Sequence, residues 1–350
     1  MRGRPLRIKI RRNLRKACAN HAICQEIALL LQFGVPLSIV QLVALVLNMR
    51  DTSEYDVPLG CLQFVEYFAG SCTVTRHLQA QGYQGVPYDK LFNNVLQNVL
   101  CYKGFCFAMW LACMVDSAGI VFLAPVCSSW VWVCRSGSGR CAAFPLGDTS
   151  KRFVRHGNAM VSRTVLLLWI LEARGVFWVL EQPLSSLLYL HCRFQQFLRI
   201  RPVYRINFFM QSFAGNDDMH DVSPKPTVLY SNRSALMKIA TRAQELQSRS
   251  TSRSSHTLCY EAKNGGVTGN KEALEASSAY PSLFGKTIAD IFSAHQDELR
   301  AFSEQARRHH GPRGVKDARL LHVLKRSEDA WRDAGLEPVW DWLLDNQCCM

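Results

Sequence analysis

Two residues in this chain stand where a reactive group is readily presented to a ligand. In "IVFLAPVCSSW", residues 120 to 130, the apolar run Ile120 to Ala124 is followed by Pro125 and then Cys127. In "RGVFWVLEQPLSS", residues 174 to 186, the run Val176 to Leu180 is followed by Glu181-Gln182-Pro183. Short continuous apolar runs read as strands buried on both faces of a parallel sheet. Proline cannot donate to the ladder and ends such a strand. A thiol and a carboxylate are therefore expected at the carboxyl ends of two strands, where open α/β sheets bind ligands. Such a pair suits nucleophilic addition: a thiolate attacks while its partner offsets the charge that develops. A helix N-terminus after Ser128, or the nearby Arg135, would lower the thiol pKa and raise its reactivity. Cysteine is also a small packing residue, and the chain holds fourteen, so position rather than type distinguishes Cys127.

A second constellation lies upstream in "LQFVEYFAGSCTVTRHLQAQGYQGVPYD", residues 62 to 89. Its order is strand, glycine turn, helix, strand, acid. Leu62 to Phe68 supplies the strand, and Gly70 permits a tight turn and close approach of a ligand to the backbone. Ser71 or Thr73 can cap the helix that follows, and Gly82 can end it. Gly85 to Tyr88 gives a second strand with Asp89 at its end. An acid about 20 residues past such a turn is where nucleotide-binding βαβ units hold a ribose. The single glycine does not make a dinucleotide fingerprint, and any strand-turn-helix of an α/β protein shares this order.

The elements that must position these groups follow from the apolar pattern. "NAMVSRTVLLLWILEAR" predicts a helix from about Asn158 to Arg174, between the two buried strands. Strand, helix and strand in alternation predict an α/β fold with a Rossmann-like, mostly parallel sheet, helices on both faces and a helical C-terminal tail. The core domain is expected over 58–235, a Ser/Arg-rich linker over 236–280 and the tail over 281–350, where no chemistry is visible. The segment from Arg135 to Arg163 holds six Lys/Arg against Asp148 alone. With its "SGSGR" flexibility and Trp130 and Trp132, it is either a nucleic-acid contact loop or a solvated surface. Arg135, Arg140, Lys151, Arg152 and Arg155 are the contact candidates.

Composition narrows the field further. The net charge of +13 is mostly local, because residues 1 to 50 carry nine Lys/Arg against Glu26 alone. It is weak evidence for nucleic acid by itself. No cysteine and histidine spacing suits zinc, and no metal is expected. The cysteine pattern is not that of a disulfide scaffold, so a reducing compartment is expected. Residues 27–49 carry no charge and are long enough to span a bilayer. Three readings of them stand side by side: a membrane anchor, an organelle-targeting segment, or a buried helix pair turning at "FGVPLS".

Taken in order, "FVEYFAG", "APVCSSW" and "LEQPLSS" resemble the ordered motifs of the cytosine-C5 DNA methyltransferases: acid-x-Phe-x-Gly, Pro-Cys and Glu-Asn-Val. The resemblance covers roughly residues 60 to 235. It implies a fold that binds S-adenosylmethionine, with Glu66, Phe68, Gly70, Asp89 and Pro125 at the cofactor. It also implies Cys127 as the nucleophile on C6 of cytosine and Glu181 as the acid at N3. Val126 stands where the family has a second proline, and Gln182-Pro183 where it has Asn-Val. No Gln-x-Arg-x-Arg motif is present, although "LRIRP" at 198 to 202 has the arginine spacing, and the adenine-side acid is missing from "NVLCYKGFC". The wording "PVCSSW", "EQPLSS" and "KPTVLYSN" resembles a large group of algal proteins. A catalytically inactive descendant that binds nucleic acid or protein, with or without a membrane anchor, is the alternative.

Overall fold

The computed structural model describes residues 61–214, 225–249, 259–261, 267–269 and 279–309. The basic start and the segment 27–49, with all three of its readings, lie outside the described residues. Among those described, no helix is long and apolar enough to cross a membrane.

The elements are β1 (Leu62–Tyr67), α1 (Thr73–Ala80), β2 (Gly85–Tyr88), α2 (Tyr102–Met114), β3 (Val115–Leu123), the single turn α3 (Arg135–Ser138), α4 (Arg152–Ala173), β4 (Phe177–Pro183), α5 (Cys192–Ile200), β5 (Tyr204–Phe209), β6 (Pro226–Ser231), α6 (Lys238–Arg249), the short pair β7 (Cys259–Glu261) and β8 (Val267–Gly269), and α7 (Ser282–His309). Six strands form one sheet in the order β2-β1-β3-β4-β6-β5. β2, β1, β3 and β4 run parallel, and β6 is antiparallel to both of its neighbours. The chain is an α/β protein with a Rossmann-like, mostly parallel sheet.

Side chains alternate across the sheet with the period of two that a strand imposes. Phe64, Ile120, Phe122, Phe177, Val179 and Leu229 pack on one face against α1, α6 and α7. Val65, Tyr67, Val121, Leu123, Trp178 and Leu180 pack on the other against α2, α4 and α5. Apolar residues at consecutive positions are thus all buried, which is why these strands read as unbroken runs.

Three boundaries move from their sequence expectation for identifiable reasons. α4 starts at Arg152 rather than Asn158, because buried Val154 begins the stripe that Val161, Val165 and Leu168 continue. β4 does not stop at Leu180. It continues through Pro183, because β6 pairs with it beyond the end of β3, matching Glu181 with Leu229 and Gln182 with Val228. Proline falls at the last strand position, where a missing N–H costs least. α6 enters the Ser/Arg-rich stretch because Ile239 and Ala243 are buried one turn apart. α7 lays Phe284, Ile288, Ile291 and Phe292 on the sheet and so belongs to this core.

The helix after the glycine turn is closed differently at its two ends. At the C-terminal end Gly82 has φ +85°, the Gly82 N–H donates to the Gln79 carbonyl at 2.9 Å, and Tyr83 N–H donates to Leu78 at 3.1 Å. That pair of hydrogen bonds over a left-handed glycine is a Schellman closure. At the N-terminal end neither Ser71 nor Thr73 caps. Cys72 occupies the cap with φ +57° and no side-chain capping bond, and the Thr75 N–H donates instead to Glu66 Oε2 at 2.7 Å.

Candidate active site

Register explains how the chemistry-bearing residues meet. Tyr67 pairs with Tyr88 and with Leu123, and Leu123 pairs with Leu180. The next residue along each strand is Phe68, Asp89, Ala124 and Glu181, so β1, β2 and β3 end on one row and Glu181 lies on that row within β4. From β1 the chain goes outward to β2 on one side, then returns to β3 on the other. The loops after β1 and β3 therefore diverge, opening a crevice at the carboxyl rim where sheets of this kind take ligands.

On the β1 side, the turn residues Phe68, Gly70 and Cys72 have φ of +61°, +49° and +57°. The Gly70 N–H donates to Asp89 Oδ2 at 3.0 Å, and Leu91 N–H donates to Oδ1 at 2.9 Å. This locks the glycine turn to the end of β2. A Cβ built on Gly70 would meet nothing within 4 Å, so the space beside the turn is open. Phe68 packs partly into the core, its N–H donating to the Tyr88 carbonyl at 2.7 Å. Glu66 is 1% exposed, and its Oε2 accepts from both the N–H and the hydroxyl of Thr75. Burial outweighs those bonds and raises its carboxyl to about 7. Its Oε1 is buried without a hydrogen-bond partner.

On the β3–β4 side, two bonds lace the motif loops together. Buried Gln182 donates from Nε2 to the Pro125 carbonyl at 2.7 Å, and the Leu187 N–H donates to the Trp130 carbonyl at 2.9 Å. Pro125 is buried, and what it offers there is its carbonyl to Gln182. The glutamine that replaces the resembled family's asparagine therefore fixes the Cys127 loop to the end of β4. Cys127 opens a turn in which the Trp130 N–H returns to its carbonyl at 2.7 Å. Burial, and after it the negative charge of Glu181, push the Cys127 thiol up to about 11, with Lys225 acting the opposite way. The expectation of a lowered thiol is corrected: desolvation beside a carboxylate exceeds any cation nearby.

Glu181 is 5% exposed and paired with a residue far away in the chain. The Tyr280 hydroxyl donates to Glu181 Oε2 at 2.8 Å, while Oε1 is buried without a partner. Tyr280, just before α7, packs edge-on against Phe122, carries the Lys225 ammonium 5.3 Å from its ring centre, and accepts from Thr73 Oγ1 through its carbonyl at 3.3 Å. Burial, with Glu181 beside it, holds its hydroxyl well above the ordinary tyrosine range. Tyr280 thus bridges the start of α1 to the carboxylate on β4. Lys225 enters from the residue before β6 with φ +31°, an uncommon conformation for a side chain of its size.

The basic loop is folded, and it divides its cations. Arg140 is 2% exposed, and its guanidinium lies 3.5 Å over the Trp130 ring. It donates to Pro145 O, Asn158 Oδ1, Ser129 Oγ and Val154 O at 2.7 to 3.2 Å. Arg140 is turned inward and is corrected from a surface contact to an internal support. Lys151 donates to the Gly137 carbonyl at 2.7 Å and Arg155 to those of Thr149 and Ser150. Arg135, Lys151, Arg152 and Arg155 remain exposed.

A cavity of about 460 Å³ opens at the opposite rim, lined by Cys61, Gln63, Gln84, Asp116, Phe292 and Gln296. Its carboxylate, Asp116, accepts the Ala118 N–H in its own turn at 2.8 Å. Cys127 and Glu181 neighbour each other at the carboxyl rim instead. Among the described residues no group of three or more His, Cys, Asp or Glu could hold a metal ion.

One consequence is measurable with iodoacetamide. Below a pKa of about 11 the thiolate fraction rises tenfold with each pH unit, so Cys127 should label slowly at pH 7 and increasingly fast toward pH 11. The exposed Cys141 and Cys192 should label first at neutral pH. Rapid modification of Cys127 at pH 7, mapped by peptide mass, would contradict the half-buried, carboxylate-flanked thiol.

Comparison of the chain with known proteins gives no matching family model, no matching curated sequence and no matching solved structure.

Proposed function

We propose that this protein is a methyltransferase-like enzyme that uses S-adenosylmethionine to methylate cytosine in nucleic acid through Cys127. The observation carrying this reading is the placement of Cys127 beside a buried carboxylate that keeps one oxygen unpartnered, across the crevice from a glycine turn. Tyr280 holds Oε2 of Glu181, which leaves Oε1 for a base.

The residues on the β1 side fit the cofactor. Open space beside Gly70 admits a ligand to the backbone, and Asp89 is fixed at the neighbouring strand end, where it can take ribose hydroxyls. Leu91 and Phe92 are exposed just past it and offer an apolar surface to a purine. The unpartnered oxygen of Glu66 suits a ligand that carries positive charge. When bound, S-adenosylmethionine would supply the methyl group.

The chain's own residues would do the rest. Sγ of Cys127 adds to C6 of a cytosine that has left its stack, and the displaced electron pair moves into the ring toward N3. Glu181 takes the thiol proton and presents it to N3, so one proton serves both ionisation and attack. C5 would then be the nucleophilic carbon for the methyl group that S-adenosylmethionine supplies, the cofactor leaving as its demethylated thioether. Loss of the C5 proton to water, return of the N3 proton through Glu181 to the departing Sγ, and cleavage of the Sγ–C6 bond would restore the aromatic ring. The high thiol pKa favours a second reading, in which the chain binds the same ligands without chemistry.

Calorimetry on the full chain tests the cofactor half. S-adenosylmethionine or its demethylated product should give saturable heat, Asp89→Ala should weaken it, and Gly70→Val should abolish it. A β-branched residue at φ +49° is strained, and its Cβ enters the space the ligand needs. No heat from parent protein that still unfolds cooperatively would refute the reading.

A further inference from the structure

We propose that the loop between Cys127 and α4 is a rigid stacking platform for single-stranded nucleic acid. The proposal deepens the functional reading above and rests on it only for the identity of the reacting base.

Three rings on this loop and the first turn of α4 are exposed although the core beneath them is well packed: Trp132 at 42%, Phe144 at 72% and Phe153 at 47%. Two of them lie close in sequence to exposed cations. Trp132 lies three residues before Arg135, and Phe153 lies between Arg152 and Arg155. Over the span from Arg135 to Arg163 the lone acid, Asp148, is taken by Ser150 and Lys151. Aromatic faces interleaved with guanidinium groups match the chemistry of a single strand, in which phosphates alternate with bases whose faces are open.

The platform is held in place before any ligand arrives. Cys141 and Phe144 exchange backbone bonds at 3.3 and 3.1 Å, so Phe144 stands on a closed turn. Gly147 has φ +64°, and a Cβ there would lie 2.6 Å from the Ser138 carbonyl, so this crossing of the loop tolerates only glycine. The Asp148 N–H donates to Ser138 O at 2.8 Å, and Lys151 donates to Gly137 O at 2.7 Å, tying the start of α4 to the turn that carries Arg135. Buried Arg140 joins both halves from beneath. Rings fixed in this way lose little conformational freedom on stacking, which strengthens binding.

A duplex hides base faces within its own stack and would present only phosphates to this surface. A single strand offers both partners at once. It also removes the unstacking cost of bringing a cytosine to Cys127.

Fluorescence anisotropy with short cytosine-containing DNA and RNA strands, and with the same sequences as duplexes, tests the proposal on the full chain without cofactor. Single strands should bind at least about tenfold more tightly than duplexes, and the DNA and RNA arms show which sugar is preferred. Phe144→Ala and Trp132→Ala should each weaken single-strand binding about tenfold, the usual scale for removing a stacked ring. Arg152→Ala should reduce the salt dependence by about one phosphate's worth. Tyr204→Ala, an exposed ring at the start of the edge strand β5, should leave single-strand affinity unchanged. Equal affinity for duplex, no effect of Phe144→Ala, or binding to phosphatidylserine vesicles in place of oligonucleotides would each overturn the platform. Because no methyl transfer is measured, a protein that binds single strands but yields no calorimetric signal would refute the cofactor reading and leave the platform standing.

Discussion

Incubated with S-adenosylmethionine and an oligonucleotide carrying 5-fluorocytosine, the full chain should form a covalent adduct that survives denaturation, and Cys127→Ser should form none. Fluorine at C5 leaves no proton there to remove after methylation, so the bond from Sγ to C6 cannot break again. Serine loses the adduct because its hydroxyl is a far weaker acid than a thiol and Glu181 cannot ionise it. Glu181→Gln separates two effects that are easily confused. Glutamine keeps an oxygen for the Tyr280 hydroxyl but cannot carry a proton to N3, so adduct formation should slow by about 10² to 10⁴. The same change removes the negative charge that raises the Cys127 thiol, so alkylation of Cys127 by iodoacetamide should speed up. Opposite signs in one variant are the signature of a carboxylate that restrains the thiol and serves the base. Loss of both reactivities would point to a collapsed loop, and an adduct that persists in Cys127→Ser would remove Cys127 from the chemistry.

Much of this arrangement was legible because it is local. Ile120 to Leu123 and Phe177 to Leu180 are buried on both faces, and that alone makes an unbroken apolar run. The glycine turn and Asp89 were legible for a similar reason, being one βαβ unit whose ends meet in a single bond. What escaped depends on distant contacts. Glu181 lies inside β4 because β6 pairs there in the reverse direction, and nothing near Glu181 in sequence announces that partner. Tyr280 lies 99 residues from Glu181, ahead of a helix whose only local signal is an apolar face. The helix cap was misassigned because Ser71 and Thr73 have the right side chains, yet their hydroxyls meet each other at 3.0 Å while a buried glutamate from β1 takes the helix N–H.

The thiol pKa and the fate of Arg140 share one physical cause. Charge counted along a sequence says nothing about desolvation, and desolvation decides both. Near Cys127 the sequence offers cations, but the folded chain puts burial and a carboxylate ahead of them. Within "SGSGRCAAF" an arginine beside small residues reads as solvated, but in the folded chain glycines further along, Gly147 and Gly157, leave the room in which it is buried. Gly157, whose added Cβ would lie 2.4 Å from Ser129 Oγ and 3.1 Å from Arg140 Nη2, leaves the space that arginine fills.

Arg140→Ala should be the most destabilising single change in the loop. The arginine lies against Trp130 and donates to two carbonyls, a hydroxyl and a side-chain amide, which would lose that donor and face a cavity. Orphaned buried acceptors and an unfilled space together cost about 3 to 5 kcal/mol. For a domain of this size that lowers the melting temperature by roughly 6 to 20 °C. Burial depresses the guanidinium to about 10, so the side chain is still charged at neutral pH and its bonds stay charge-assisted. Arg140→Lys should recover little, because one ammonium cannot span acceptors that a planar fork reaches in four directions. The same arginine fixes Ser129 and Trp130, and the Trp130 N–H closes the turn on the Cys127 carbonyl. Loss of Arg140 should therefore also free Cys127 toward iodoacetamide at pH 7, at temperatures well below unfolding. Calorimetric melting read beside Cys127 labelling tests both links. An Arg140→Ala protein that melts like its parent and keeps Cys127 protected would show that the loop stands without its buried arginine.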